Sequence, residues 1–136
     1  LVRDQAQQLQ EEMERRKTTE SRLHAINQAF DHTTEAIVIT DDQFQIIDIN
    51  PAFERVTGYT KKIALGRKAF RAVDGTHPSE HDKPIWAALN KTGLWQGILQ
   101  EKRADGSAYS QQITITTCRN GAGAITHCIG IFSVME

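Results

Sequence analysis

The chain has 136 residues, and 16 lysines and arginines balance 17 aspartates and glutamates to give a formal net charge of −1. A charge this close to zero gives no excess of positive charge that would attract nucleic acid or an anionic membrane surface, so we expect neither partner. No apolar run approaches the roughly 18 residues that a membrane-spanning helix needs. We expect a cytoplasmic segment without direct membrane contact, consisting of one domain and an appendage.

Residues 1–30 are predicted to form one long helix, because they contain neither Gly nor Pro and are rich in Gln, Glu, Arg and Lys. Apolar residues recur at the alternating four- and three-residue spacing of a coiled-coil seam, at Val2, Ala6, Leu9, Met13, Leu23 and Phe30. Arg16, Glu20 and Asn27 interrupt the seam, which predicts a weak parallel homodimer that needs a second contact. The alternative is a single helix packed on its own domain. Because the chain begins with Leu in mid-pattern, we expect it to be a piece of a larger protein.

Two β-branched runs, 36–40 and 44–50, are predicted to form a hairpin. Asn50 then provides an N-cap, and Pro51 occupies the first position of a short helix, where its missing N–H costs nothing. The helix is expected to end at Gly58, which suits a left-handed C-terminal residue.

The chain between this helix and the next strand is predicted as two short helical or irregular pieces, 60–64 and 67–73, and a loop, 74–84. Pro84 is expected in the first turn of a helix that Gly93 closes. Three strands follow at 94–102, 108–119 and 124–134, separated by the hairpin signals Asp105-Gly106 and Asn120-Gly121-Ala122-Gly123.

The last strand carries apolar side chains on both faces, which is unusual for an antiparallel sheet with one wet face. We therefore predict that the helix of residues 1–30, or that of a partner chain, covers the far face of the sheet. Cys118 and Cys128 are expected to be small buried residues. A tight turn near 120–123 would place Cys118 opposite about Ile125 and Cys128 opposite about Ile115, which separates the thiols and argues against a disulfide.

The stretch Asn50-Pro51-Ala52-Phe53 through Thr57-Gly58-Tyr59 resembles the signature of PAS domains, the sensor modules of bacterial signalling proteins. Further stretches agree in order with that family: Glu35 to Asp41, Gly66, Trp86, Gly93, Trp95-Gln96-Gly97 and Arg103-Ala104-Asp105-Gly106. The resemblance extends from about Asn27 to the end of the chain. It implies an α+β PAS fold, with a five-stranded antiparallel sheet in the order 2-1-5-4-3 and short helices on one face.

The resemblance also implies a domain division into a linker or coiled-coil helix, 1–30, and a PAS domain, 31–136. It further implies sensing and signal transduction, with a downstream effector domain in the same chain, such as a diguanylate cyclase in cyclic-di-GMP signalling or a histidine kinase in a two-component system. The segment itself is not expected to be an enzyme, since it has no Gly-x-Ser-x-Gly elbow, no phosphate-binding glycine loop and no His-Glu-x-x-His.

A ligand pocket is implied between the short helices and the sheet. Its expected lining is apolar and consists of Ile39, Ile49, Phe53, Phe70, Trp86, Leu89, Trp95, Ile113, Ile115 and Ile129. Such a pocket either takes a mostly apolar small molecule or is filled by its own side chains, which would leave a ligand-free structural dimerisation module. Relatives often carry Glu where this chain has Ile98, so we expect a polar ligand contact to be missing there.

Two cofactors are alternatives to an unidentified ligand. The light-sensing flavin branch of the family needs a reactive cysteine, and residues 66–71 contain none, which excludes covalent flavin photochemistry. Non-covalent FAD beside Trp95-Gln96-Gly97 and haem with His81 as axial ligand stay open. A metal site at His77 and His81 is not expected, because Pro78 breaks the helical spacing that would aim both rings at one ion.

Overall fold

The computed structural model describes residues 2–69 and 78–135, and the side chains of residues 4–69 and 84–135. The elements in chain order are α1 Val2–His32, β1 Ala36–Asp41, β2 Ile46–Ile49, α2 Pro51–Thr57, α3 Lys61–Ala64, α4 Pro78–Thr92, β3 Leu94–Lys102, β4 Ala108–Arg119 and β5 Ile125–Met135. The chain divides into two compact units, Leu1–His32 and Thr33–Glu136.

Helix α1 runs for 31 residues without a break. Leu9 and Met13 are 59% and 61% exposed, and Leu23 and Ile26 are exposed to a similar degree. Leu9, Met13 and Leu23 of the predicted seam are thus exposed, and the coiled coil stays a prediction. Among the described residues, no helix combines the length and the apolar character that crossing a membrane requires.

The second unit is built on a five-stranded sheet in the order β2-β1-β5-β4-β3. All four neighbouring pairs are antiparallel. Both the fold class and the strand order are confirmed. The last strand, β5, lies at the centre of the sheet, between β1 and β4, and carries eleven residues.

Side chains alternate between two faces of this sheet. The face that we call the core face packs against the short helices and holds the buried strand residues Val38, Ile113, Ile115, Cys128 and Phe132. The opposite face, which we call the outer face, holds Ile37, Ile39, Ile129 and Ile131, which pair across β1 and β5. Ile131 is 38% exposed, so apolar surface on the outer face meets solvent within this chain.

Asn50 fixes the passage from β2 into α2. Its Oδ1 accepts hydrogen bonds from the N–H of Phe53, at 3.0 Å, and from the N–H of Ile37 in β1, at 2.9 Å. Its Nδ2 donates to the carbonyl of Glu35 at 3.0 Å. The predicted N-cap is thus also a cross-link to β1. Gly58 ends the helix with a φ of 76°, the left-handed conformation expected there.

Residues 66–69 form no helix and pair with residues 44–46, just before and at the start of β2. Gly66 N–H donates to the carbonyl of Ile46, Ile46 N–H donates to that of Arg67, and Ala69 N–H donates to that of Phe44, at 2.8–2.9 Å. Of the predicted helical or irregular piece over 67–73, residues 67–69 are irregular and carry one isolated bridge, between Lys68 and Gln45, and residues 70–73 lie outside the described residues. Backbone pairing with a distant strand leaves no local sequence signal.

Helix α4 begins at Pro78, so the predicted loop 74–84 is wrong from that residue onward. Pro78 takes the first helical position, where proline loses no hydrogen bond. Pro84 lies inside the helix, six residues after its start, so the prediction that Pro84 occupies the first turn is wrong. The burial of Ile85 and Leu89 directly after it anchors the helix despite the missing N–H, since tertiary packing overrides intrinsic propensity.

The β4–β5 hairpin separates the two cysteines, but in a different register from the predicted one. Cys118 lies opposite His127, and Cys128 lies opposite Thr117, because a β-bulge at Cys118/Arg119 shifts the pairing. Both thiols are free. Cys128 is buried, as expected, whereas Cys118 is exposed, so the expectation of burial is wrong for Cys118.

Candidate ligand site on the core face

The structure brings seven of the ten predicted lining residues together. Ile49, Phe53, Leu89, Ile113 and Ile115 are buried in one apolar cluster between the sheet and the short helices, and Trp86 and Trp95 pack against this cluster. Phe70 lies outside the described residues. This cluster lines the candidate site on the side of the sheet and on part of the side of the helices.

Ile39 and Ile129 do not join this cluster. They form a cross-strand pair on the outer face, so neither points toward the helices. Val38 and Cys128, their neighbours along β1 and β5, take the core-face positions. Because both faces of these strands are apolar, the sequence does not fix which alternate set points inward.

The same alternation corrects the expectation at Ile98. Gly97 lies on the core face opposite Ile113, whereas Ile98 lies on the outer face and is 59% exposed. A side chain at position 98 therefore cannot contact a ligand between the sheet and the helices. The absence of Glu at this position removes no polar contact from the site.

At two glycines the core face of the sheet carries no side chain. Gly130 in the central strand lies between Val38 and Ile115, so no side chain rises at that point. At Gly97, an added Cβ would lie 2.6 Å from the ring of Trp95, which folds over the glycine. Glycine inside a strand is typical of places where another group approaches the backbone closely.

An aromatic stack at the β1–β2 turn was not predicted. The rings of Phe44 and Trp86 lie parallel, with an interplanar angle of 10° and centroids 4.6 Å apart. Phe44 has a φ of 61°, which is costly for a residue with a bulky side chain. Its buried ring and the turn's hydrogen bonds hold it there, so the turn is tied to α4.

A polar group lies at the opposite end of the core face and was also not predicted. Gln111 in β4 is only 3% exposed, and its Oε1 accepts a hydrogen bond from the hydroxyl of Tyr109 at 3.1 Å. Within the described part of the chain, the Nε2 of Gln111 has no hydrogen-bond acceptor. Adjacent glutamines, Gln111 and Gln112, give the sequence no clue to which of them turns inward.

Glu101 in β3 lies directly opposite Tyr109 on the core face. Burial raises the pKa of its carboxyl group to about 7. Burial, followed by the charge of Glu101, raises the pKa of the Tyr109 hydroxyl well above its usual value, which keeps that hydroxyl a proton donor. We call Glu101, Tyr109 and Gln111 the polar end of the candidate site.

Arg103 borders the polar end without pairing to Glu101. Its guanidinium carbon lies 4.7 Å from the centroid of the Tyr109 ring, and its Nε donates to the carbonyl of Val56 at 3.2 Å. Arg103, the residue after β3, therefore joins the β3–β4 turn to the end of α2. It leaves the carboxyl of Glu101 without an ion pair in the described part of the chain.

Two expectations, a haem ligand at His81 and no metal site at His77 and His81, concern side chains that the structure does not describe. Among the side chains that are described, no group of three or more His, Cys, Asp and Glu residues has a geometry that could hold a metal ion.

Comparison with known proteins identifies the family. The PAS domain model matches residues 34–133. A nitrogen fixation regulatory protein from Klebsiella oxytoca is 33% identical over 96 residues, which cover 71% of this chain and 19% of that protein. A blue-light photoreceptor from Listeria monocytogenes is 31% identical and is matched over 72% of this chain and 40% of its own length. The chain thus spans between about a fifth and two-fifths of these relatives.

Solved structures agree. The crystal structure of the PAS domain of a protein from Colwellia psychrerythraea has a TM-score of 0.75 and 28% identity, covering 83% of this chain and 96% of that one. An RNA-binding Light-Oxygen-Voltage receptor has a TM-score of 0.71 and 27% identity, covering 82% of this chain and 32% of its own. With the family model matched over 100 of its residues and the sheet in the expected order, this chain belongs to the PAS domain family.

Proposed function

We propose that this chain is the sensory part of a larger signalling protein, and that it binds a small, mostly apolar molecule between the core face and the short helices. The observation that carries this proposal is the core face itself. Its lining is mostly apolar, Gly130 leaves its centre without a side chain, and Glu101, Tyr109 and Gln111 lie together at one end. Ligand sites in proteins combine an apolar lining with a few placed polar groups in this way.

The similar proteins support a regulatory role. They include the nitrogen fixation regulatory protein, the blue-light photoreceptor and a sensor histidine kinase from Ectopseudomonas mendocina, which is 29% identical over 104 residues. Each is a regulator or a receptor by its name. An effector domain in the same chain, of the kinase or diguanylate cyclase class, would be consistent with such regulatory relatives.

Dimerisation is the second part of the proposal. Leu9 and Met13 are exposed on α1, and the outer face presents Ile131 and its neighbours. Association with a second copy through α1 and through the outer face would bury both apolar surfaces. A ligand would then act by favouring one of two arrangements of the dimer, which requires different affinities for the two.

An absorption spectrum of the natively purified protein, followed by mass spectrometry of molecules released on denaturation, tests ligand binding. Release of a small molecule without visible absorption supports the proposal. Flavin or haem bands would replace it with a redox or gas sensor. If nothing is released and no added small molecule binds, the domain is a structural dimerisation module with a self-filled core.

A truncated chain that starts at Ser21 tests the dimer seam. Removing residues 1–20 deletes Leu9 and Met13, so we expect the truncated protein to be monomeric by light scattering at concentrations where the full chain is a dimer. A truncated chain that stays dimeric would show that these residues do not drive association.

A further inference from the structure

The two edges of the sheet differ in their protection against pairing with a further strand. β2, at one edge, has four residues, its register with β1 shifts at Ile47, and residues 66–69 bond to residues 44–46 beside it. Short strands, bulges and covering segments are common means of keeping sheet edges unpaired. β3, at the other edge, has nine residues in unbroken register with β4 and contains no proline. Within the described chain, the β3 edge is therefore the open one.

The register of β3 shows which of its backbone groups face the open edge. Arg103 N–H donates to the carbonyl of Ser107 at 2.8 Å, and Thr117 N–H donates to that of Gly93 at 3.2 Å. Because hydrogen-bonded and non-hydrogen-bonded pairs alternate along an antiparallel ladder, the odd-numbered residues from 93 to 103 bond to β4. The N–H and carbonyl groups of the even-numbered residues therefore point away from β4. Those residues are Leu94, Gln96, Ile98, Gln100 and Lys102.

One of these five residues is already occupied. The Thr92 hydroxyl donates to the carbonyl of Leu94 at 3.1 Å and accepts from its N–H at 3.4 Å. The backbone groups at the four other edge positions have no partner in the described part of the chain. Residues 94–100 carry no charged side chain, and Ile98 is 59% exposed. A long, uncharged edge of this kind is a template for an additional strand.

We propose that β3 pairs antiparallel with β3 of a second copy, with Leu99 opposite its own counterpart. The contact is isologous, so each pair of residues occurs twice. Gln96 then pairs with Lys102 of the second copy, and Ile98 pairs with Gln100. Each of these pairs exchanges two backbone hydrogen bonds, so all four open positions are used. A shift by two residues would leave Gln96 without a strand partner or set Lys102 against Leu94, whose groups Thr92 already holds.

The side chains of β3 are compatible with this self-pairing. Glu101 falls opposite Gly97 of the second copy, and Lys102 falls opposite the neutral amide of Gln96. Like charges directly opposite each other destabilise a strand pair, and this register contains none. The central pair, Leu99 with Leu99, is apolar. The strand is thus complementary to itself in backbone register and in charge.

The contact goes beyond the proposed function and does not depend on it. It involves neither α1 nor the core-face ligand site, and it leaves Ile131 on the central strand uncovered. It would therefore join dimers formed through α1 and the outer face. We expect it to be the weaker association, because it adds few side-chain contacts to its backbone hydrogen bonds.

Sedimentation velocity of the full chain over a concentration series tests the contact. We expect an association step beyond any dimer formed through α1. Ile98→Pro removes an N–H that faces the open edge, a position where an edge strand tolerates proline, so it should fold and weaken this step by about tenfold or more. Ile98→Thr keeps the N–H and removes apolar surface, and it should retain the step.

Two results of this experiment would overturn the proposal. One is a wild-type chain that shows no such step at any concentration. The other is equal loss of the step in Ile98→Thr and Ile98→Pro, which would assign the association to the apolar side chain and not to the strand edge. The ligand and α1 parts of the proposed function would stand in either case.

A cross-linking experiment tests the register and needs no proline variant. In the proposed pairing, the two Leu99 Cα atoms lie about 4.5 Å apart, within reach of a disulfide. Leu99→Cys in a chain that also carries Cys118→Ser should therefore form a covalent dimer on mild oxidation, detected by mass spectrometry. Gln96→Cys in the same background lies opposite Lys102 and should form little. Equal cross-linking of the two variants, or none with Leu99→Cys, would overturn the pairing.

Discussion

Glu101 is a carboxyl group that the fold holds partly away from water. Its pKa is raised from its ordinary value of 4.5 to about 7 by burial. The folded protein therefore binds this proton more tightly than the unfolded chain does. The associated stability is fully present below about pH 4.5 and is lost as the pH rises through 7.

We therefore predict that the free energy of unfolding falls between pH 5 and pH 8, by up to ~3 kcal/mol from this residue alone. Urea denaturation at the two pH values measures the fall. Glu101→Gln removes the titrating group and should be less dependent on pH over this range. An identical pH dependence in wild type and variant would contradict the assignment.

The two cysteines should differ in reactivity. Burial raises the pKa of the Cys128 thiol to about 11, and the side chain is inaccessible, whereas Cys118 is exposed on the outer face. At pH 8 iodoacetamide should modify one thiol in the native protein and both in urea, as counted by mass spectrometry. Cys118→Ser should then show no labelling in the native state. Labelling of Cys128 without denaturant would show that the core opens readily.

At the scale of the elements, Asn50 joins β1 to α2 with one buried side chain. Asn50→Ala would remove the side-chain partner of the Ile37 N–H and of the Glu35 carbonyl, and would leave the N–H of Phe53 with only the backbone carbonyl of residue 50. We expect a loss of about 2–4 kcal/mol in the free energy of unfolding, measured with urea. Asn50→Asp keeps the acceptor and should lose less. A variant Asn50→Ala of normal stability would contradict the cross-linking role.

Elements marked by local chemistry were predictable from sequence. Asn50-Pro51 and Gly58 bracket α2, and Asp105-Gly106 marks the β3–β4 hairpin, because caps and tight turns depend on residues next to them in the chain. Gly93, with a φ of 78°, likewise follows the end of α4.

Features that depend on distant partners were not predictable. The pairing of residues 66–69 with residues 44–46 is made mainly by backbone N–H and carbonyl groups, and α4 runs through Pro84, after which Ile85 and Leu89 are buried. In the candidate site, the apolar cluster follows from strand and helix periodicity. The inward direction of Gln111, and the outward direction of Ile39, depend on strand phase, which apolar or adjacent identical residues do not reveal.

At the scale of the whole molecule, the outer face of the sheet should contribute to association. We predict that Ile131→Lys weakens the dimer at least tenfold, because a charge would replace apolar surface at the proposed interface. Analytical ultracentrifugation measures the dissociation constant. Gln100→Lys, on the outer face of the edge strand β3, is the control and should have little effect. A dimer insensitive to Ile131→Lys would place the interface elsewhere.

The two tryptophans of the chain both pack against the core-face cluster, Trp86 from α4 and Trp95 from β3. One indole is stacked on Phe44, and the other lies over Gly97. Indole emission shifts in wavelength and intensity when water or neighbouring rings move. The domain thus carries two intrinsic fluorophores at its candidate site, and occupancy of that site can be followed optically without any label.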